Sequence, residues 1–322
     1  AKNKFTGELD LSPLKNLRSI GRDYDYYDYY DYYDYYDYNY YYDYDYYDDM
    51  RVAALFRPVL DSPWAVVPPG VFQDNSFTSV NFGDLSQVTT IGNSAFENNK
   101  FSTGIDLSPL ENLTKIENGA FKNSVNNGTL TLGNLPNLEV ISENAFQDNK
   151  FSGSLDLSGL IALTEIGYDA FKDSSFDGSL TFGNLTNLIS IGNEAFLNNS
   201  FIGDLDLSGL TGLAEIGECA FQDNNFSGSL IFSTSNIIEN IKPDAFKNNY
   251  FTSGLDLSKL KRLKFIGDEA FYKSVQNGSL ILKDLSDLEI ISKNAFQDSK
   301  FDGLLNLTGM NALKEIGYDA FK

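Results

Sequence analysis

Histidine is absent from the 322 residues, and cysteine and tryptophan occur once each. Without imidazole the usual Ser–His and Cys–His pairs cannot be built, and nearly every zinc site with imidazole ligands is lost as well. The lone Cys219 reads as a bland surface or half-buried thiol rather than one end of an intermolecular disulfide. Basic residues are scarce too: 24 Lys and Arg stand against 45 Asp and Glu, a net charge of −21. That balance opposes affinity for phosphate backbones and anionic lipid surfaces, so nucleic acid is not an expected partner. No uninterrupted apolar run approaches the roughly 18 residues of a membrane span, so no membrane insertion is expected in this segment. The chain opens on Ala1-Lys2-Asn3-Lys4 without a signal-like apolar core and stops at Lys322 inside a repeat, so it reads as a mature piece or a window on something longer. No catalytic residue, metal site or cofactor is expected.

What the sequence has is period. Ala-Phe pairs end at Phe96, Phe121, Phe146, Phe171, Phe196, Phe221, Phe246, Phe271, Phe296 and Phe321, nine consecutive intervals of 25 residues. Counting from each Phe, apolar residues return at +9, +11, +14, +17 and +20, and the last column is Ile in all nine copies from Ile116 to Ile316. The Leu-x-Leu at +9 and +11 alternates as a short strand does, and the later apolar positions return the chain along the other side of a coil. A 25-residue coil cannot bury enough to fold alone, so its stability must come from the coils above and below. Short polar residues at +3, such as Asn99, Ser124, Asn149 and Ser174, read as a structural ladder repeated in a tight turn. The next apolar slot is Phe at +5 in most coils, but in two it moves to +4, as Val125 and Val275.

The run Ile-Gly-x-x-Ala-Phe, as in Ile91-Gly92-Asn93-Ser94-Ala95-Phe96 and Ile191-Gly192-Asn193-Glu194-Ala195-Phe196, resembles the BspA-like (Treponema-type) leucine-rich repeats of microbial surface proteins. The resemblance covers roughly residues 67 to 322 plus residues 5 to 21. It implies an α/β-type repeat, a right-handed leucine-rich-repeat solenoid, displayed on the cell surface or extracellularly and engaged in adhesion to proteins or cells. Asn or Ser stands at +3, where the family's usual pattern has Cys.

Neighbouring coils differ. Asp-Leu-Ser strands, at Asp106, Asp156, Asp206 and Asp256, alternate with strands such as Thr131-Leu132-Gly133, so the 25-residue coils, each with its short strands, alternate as a 50-residue super-repeat. Position +10 lies between two inward leucines and should point outward. The four aspartates, with Asp10 and Asn306 in line, would then form an exposed column with members roughly 10 Å apart. Two readings stand: a face kept soluble by spaced carboxylates, or a recognition face for a basic protein surface or a divalent cation.

The period is broken once. Residues 1–21 hold a first repeat, 22–66 an insertion, and 67–322 the main solenoid, with about 47 residues added to one coil. From Asp23 to Asp49 the insertion carries sixteen of the twenty tyrosines and ten aspartates. Its Asp-Tyr-Tyr triplets put Tyr26, Tyr27, Tyr29, Tyr30, Tyr32, Tyr33, Tyr35 and Tyr36 in a tract that reads either as solvated low-complexity chain or as an aromatic surface for a partner or a copy of itself. The following Met50 to Arg57 reads as a short apolar helix.

These readings converge on a non-enzymatic cell-surface or extracellular scaffold for adhesion or protein–protein interaction, with a protein or cell-surface partner. The alternative is a structural subunit of a filament, sheath or surface layer that stacks head-to-tail on copies of itself, because both ends of the sequence fall within the repeat.

Overall fold

The computed structural model describes residues 4–12, 19–20, 70–83 and 85–322. Each coil lays down two short strands, one before and one after the turn at +14 to +17. The second member of each pair runs from β2 (Ser19–Ile20) and β4 (Thr90–Ile91) through β6 (Lys115–Ile116) to β22 (Glu315–Ile316), and together they form one parallel sheet of eleven strands. In it Ile91 pairs with Ile116, and each later isoleucine with the one 25 residues on. The long sheet therefore runs along the Ile column, not along the Leu-x-Leu column that alternates most clearly in sequence.

The Leu-x-Leu strands pair only in twos and one three: β1 (Thr6–Asp10) with β3 (Ser76–Asn81), β5 (Gly104–Asp106) with β7 (Thr129–Thr131), β9 (Leu155–Asp156) with β11 (Leu180–Thr181), β13 (Leu205–Asp206) with β15 (Leu230–Ile231), and β17 (Leu255–Asp256) with β19 (Leu280–Ile281) and β21 (Leu305–Asn306). Each group starts at an Asp strand, so the super-repeat is written into the pairing.

The described residues contain strands and turns and no helix. Where an α/β-type repeat would place one, around Ala-Phe, the backbone is left-handed two residues before and two residues after each Phe. Asn144 and Asp148, for example, have φ of 56° and 59° about Phe146, and Asp169 and Asp173 both have 54° about Phe171. A right-handed helix cannot pass through two left-handed residues four apart. Asn and Asp dominate these positions because their short polar side chains tolerate that region.

The turns exist to stack Phe. The Ala-Phe ring of each coil lies face to face with the next, at 5.0 Å for Phe96 and Phe121, 5.4 Å for Phe121 and Phe146, and 5.3 Å for Phe171 and Phe196. A second column, Phe151, Phe176, Phe201, Phe226 and Phe251, stacks beside it and meets the first edge-on, as at 6.3 Å between Phe171 and Phe176. The Val125 and Val275 coils interrupt only this second column, and each valine bridges back to the preceding phenylalanine, Phe101 or Phe251.

The +3 residues pin the stack. Asn149 is buried, and its Nδ2 donates to the Phe146 carbonyl of its own coil at 2.6 Å and to the Phe121 carbonyl of the preceding coil at 2.9 Å. Its Oδ1 accepts from the Ser124 and Val125 N–H groups at 2.9 and 2.7 Å. Ser174 makes the shorter version, with its hydroxyl donating to the Phe146 carbonyl at 2.6 Å. The ladder read from sequence is thus a bridge between coils, which satisfies turn groups that would otherwise be buried without partners.

The inserted segment leaves the stack continuous: Ile20 pairs with Ile91, and β1 pairs with β3 with one register shift between Gly7 and Glu8. The Tyr/Asp tract and the apolar segment from Met50 to Arg57 lie outside the described residues.

Replacing Asn149 by Ala should cost about 2–4 kcal/mol in urea denaturation, because two amides and two carbonyls lose their partner in a buried turn. Asn149→Ser, the residue other coils use, should cost about 1 kcal/mol, and equal losses for the two variants would contradict the bridging role.

Candidate functional site

Asp106, Asp156, Asp206 and Asp256 are all exposed, each flanked along the strand by buried leucine or isoleucine. Their side chains are not free rotors. Oδ1 of each accepts the backbone N–H of the serine two residues on: Ser108 at 2.9 Å, Ser158 at 2.9 Å, Ser208 at 2.8 Å and Ser258 at 2.9 Å. Asp10 does the same to Ser12, and the hydroxyl and N–H of that serine hold the Asp10 carboxyl below its ordinary range. The asparagines in line repeat the geometry, Asn81 to the Gly83 N–H at 2.9 Å and Asn306 to the Thr308 N–H at 3.1 Å. This bond ends the strand in a turn, a local structural use of aspartate that neither sequence reading included. It occupies one oxygen and fixes the direction of the other.

In the first half of the array the alternation has a packing cause. Gly133 and Gly183, which close the non-Asp strands, have φ of 63° and 62°, and a Cβ on either would lie 2.6 or 2.7 Å from the Cβ of Ser108 or Ser158 in the coil before. Ser108 and Ser158 are thus followed by glycine-ended strands, whereas Ser208 and Ser258 are followed by Ser233 and Lys283, so this close packing belongs to the first half of the array.

Register decides what lies beside each aspartate. Asp106 pairs with Thr131 and Asp156 with Thr181, but Asp206 pairs with Ile231 and Asp256 with Ile281. Both isoleucines are half-exposed, so the face passes from acidic and polar to acidic and apolar along the array. Sequence reasoning missed this pair. The signal was there in the +10 column of the non-Asp strands, read only for its difference from Asp-Leu-Ser.

Elsewhere the charged groups form pairs between coils. Lys172 contacts Glu194 at 2.6 Å and Asp169 at 3.6 Å, and Lys247 contacts Glu269 at 2.7 Å and Asp244 at 2.8 Å. Burial pushes the Asp169 carboxyl up to about 6 against the pull of Lys172. These are lysine clamps across the left-handed turns. Among the described residues, no group of three or more His, Cys, Asp or Glu is placed to hold a metal ion, and no helix is long and apolar enough to cross a membrane. The tract containing Tyr26, Tyr27, Tyr29, Tyr30, Tyr32, Tyr33, Tyr35 and Tyr36 lies outside the described residues.

A parallel solenoid of 25-residue coils with outward-facing polar columns defines a repeat scaffold. Residues 66–202 and 189–322 match the BspA type leucine rich repeat region, in six copies, and the chain belongs to that family. A search of curated proteins returned no match.

Asp156→Asn should leave stability within about 0.5 kcal/mol, since asparagine makes the same bond at Asn81 and Asn306, whereas Asp156→Ala should lose about 1 kcal/mol in thermal or urea unfolding. Cys219 is half-buried, with φ of 53°, and its thiol is pushed up to about 12 by burial and then by Asp244, Glu218 and Glu194. Iodoacetamide at about pH 8 should alkylate it far more slowly in the folded protein than in urea, with a rate that climbs with pH, and equal rates would overturn the assignment.

Proposed function

We propose that this protein is a non-enzymatic, cell-surface or extracellular scaffold that binds a basic patch on a partner protein through the face carrying Asp106, Asp156, Asp206 and Asp256. The observation behind the reading is the serine N–H that fixes each exposed carboxylate. Oriented groups lose little side-chain entropy on binding, and a row on a common spacing can meet several cations of one surface at once. Ile231 and Ile281 add apolar contact beside Asp206 and Asp256, which makes that half the centre of the contact and the Thr131 and Thr181 half its polar rim. Membership of the BspA-type repeat family favours the same class of role.

The test is a fourfold substitution of Asp106, Asp156, Asp206 and Asp256 by Asn, which removes four charges while keeping four turn bonds. Against a panel of extracellular-matrix proteins and cultured cells, the parent chain should bind at least one in a salt-dependent manner. The variant should lose about tenfold or more in affinity with an unchanged unfolding curve. No binding by the folded parent, or undiminished binding by the variant, would refute the proposal. Light scattering on the same samples distinguishes partner capture from head-to-tail self-assembly.

A further inference from the structure

On a different edge of the solenoid, where the left-handed turns lead toward the Leu-x-Leu strands, the Val275 coil opens a groove of about 860 Å³. Its walls carry Asn248, Tyr250, Lys273, Gln276, Asp298 and Lys300. The variant coil makes the space: with Val275 turned inward in the +4 slot, Gln276 occupies the following position, where other coils place a buried Phe. Tyr250 is 51% exposed although it is an aromatic residue in a surface turn. Its neighbours in the +4 column are small or charged, such as Ser200, Asn225 and Lys300.

Lys273 is the anomaly. At +2 every other coil from Phe96 to Phe296 carries Asn or Asp, from Asn98 to Asp298, as the left-handed backbone favours. Lys273 holds φ of 52° there without a short polar side chain to suit it, and strain of this kind marks functional positions. It follows the coil in which Asn248 donates to Asp223 at 2.7 Å. The Lys273 ammonium is engaged by the Tyr272 side chain, 4.8 Å from the centre of its ring, but it forms no ion pair within 4.0 Å among the described residues, and neither does Lys300. Asn224 borders the same groove but is 4% exposed, and its unpartnered Oδ1 recurs at Asn249 in the next coil, so it belongs to the +3 ladder.

We propose that this groove binds an acidic saccharide, with the Tyr250 ring against the apolar face of a sugar, Asn248 and Gln276 at its hydroxyls, and the Lys273 and Lys300 ammoniums at its carboxylate. The lining suits that chemistry: side-chain amides both donate and accept, lysines only donate, and the phenol ring is apolar on its face and polar at its tip. No aliphatic side chain lines the groove to anchor an apolar peptide residue. Two cations offset Asp223 and Asp298 here, in a protein of net charge −21 that elsewhere repels anions. The coil 150 residues earlier has the same Ser-Val-x-Asn-Gly turn but carries Lys100 and Asn123 in place of Tyr250 and Lys273, so it supplies an internal control.

The groove is independent of the aspartate column, so the fourfold asparagine variant should keep saccharide binding. Saturation-transfer NMR with the full chain would use sialyllactose, a hyaluronan tetrasaccharide and neutral lactose. Saturable binding of at least one acidic sugar in the millimolar range or tighter is expected, with lactose at least about tenfold weaker. Tyr250→Ala and Lys273→Asn should each weaken it about tenfold or more, while Lys100→Ala should not change it. Lys273→Asn restores the residue the turn prefers, so a loss of binding there cannot be a loss of fold. Failure of both acidic sugars up to about 10 mM, equal binding of lactose, equal competition by a polyglutamate peptide, or unchanged binding in both variants would overturn the proposal.

Discussion

The phenylalanine stack governs the rest of the molecule. Rings at 5.0–5.5 Å along the main column match the spacing of about 4.8 Å between hydrogen-bonded strands, so one coil can place its ring on the next only if the strands also meet in register. The 25-residue period is the chain length that closes a coil under both conditions. The Phe72 coil shows the tolerance: Phe72 lies 24 residues before Phe96, and its ring is tilted by 22° yet still stacks at 5.2 Å. The asparagine and serine bridges extend the constraint to the backbone, since each reaches the Phe carbonyl of its own coil, of the coil before, or of both.

The period, the core columns and the 50-residue alternation were legible in sequence because each maps to a repeated packing demand. An inward side chain has to recur wherever a neighbour covers it, so Leu, Ile and Phe columns announce themselves. The position of the long sheet was not legible. Two-residue strands at Val140–Ile141 or Glu165–Ile166 carry almost no alternation, and their sheet is continuous through backbone bonds that any residue can make. The absence of helix among the described residues was only partly legible: Asn, Asp and Gly recur at −2 and +2 about the Phe, which signals left-handed backbone, but Glu194, Cys219, Glu269 and Lys273 hide the pattern.

The aspartate column was found in sequence and its exposure follows from strand geometry, but its local chemistry was not legible. Whether a carboxylate between two inward residues swings free or accepts the next amide but one depends on the turn that follows. The same turn forms with glycine 25 residues beyond Ser108 and Ser158, with Ser233 beyond Ser208 and with Lys283 beyond Ser258. Asn81 and Asn306 in the same column now read differently: they keep the turn bond and drop the charge. Charge at the other positions is therefore not required by the fold, which is why a solubility role or a recognition role has to be sought in it.

The same reasoning sorts the whole surface. Where a repeated polar residue has a backbone partner in its own or an adjacent coil, the fold accounts for its presence, as at Asn149 or Asn99. Where a residue departs from its column at a cost in backbone conformation and gains no ion pair or bridge to the next coil, the fold does not account for it. The coils at Val125 and Val275 make the comparison within one chain, because they share a turn sequence and the bridge to a preceding phenylalanine. Stability does not explain Lys273, since both coils share one scaffold and asparagine, as at Asn123, suits the left-handed turn better than lysine. The difference between the two coils lies in what each presents to solvent, and selection on that surface would act there without touching the stack beneath.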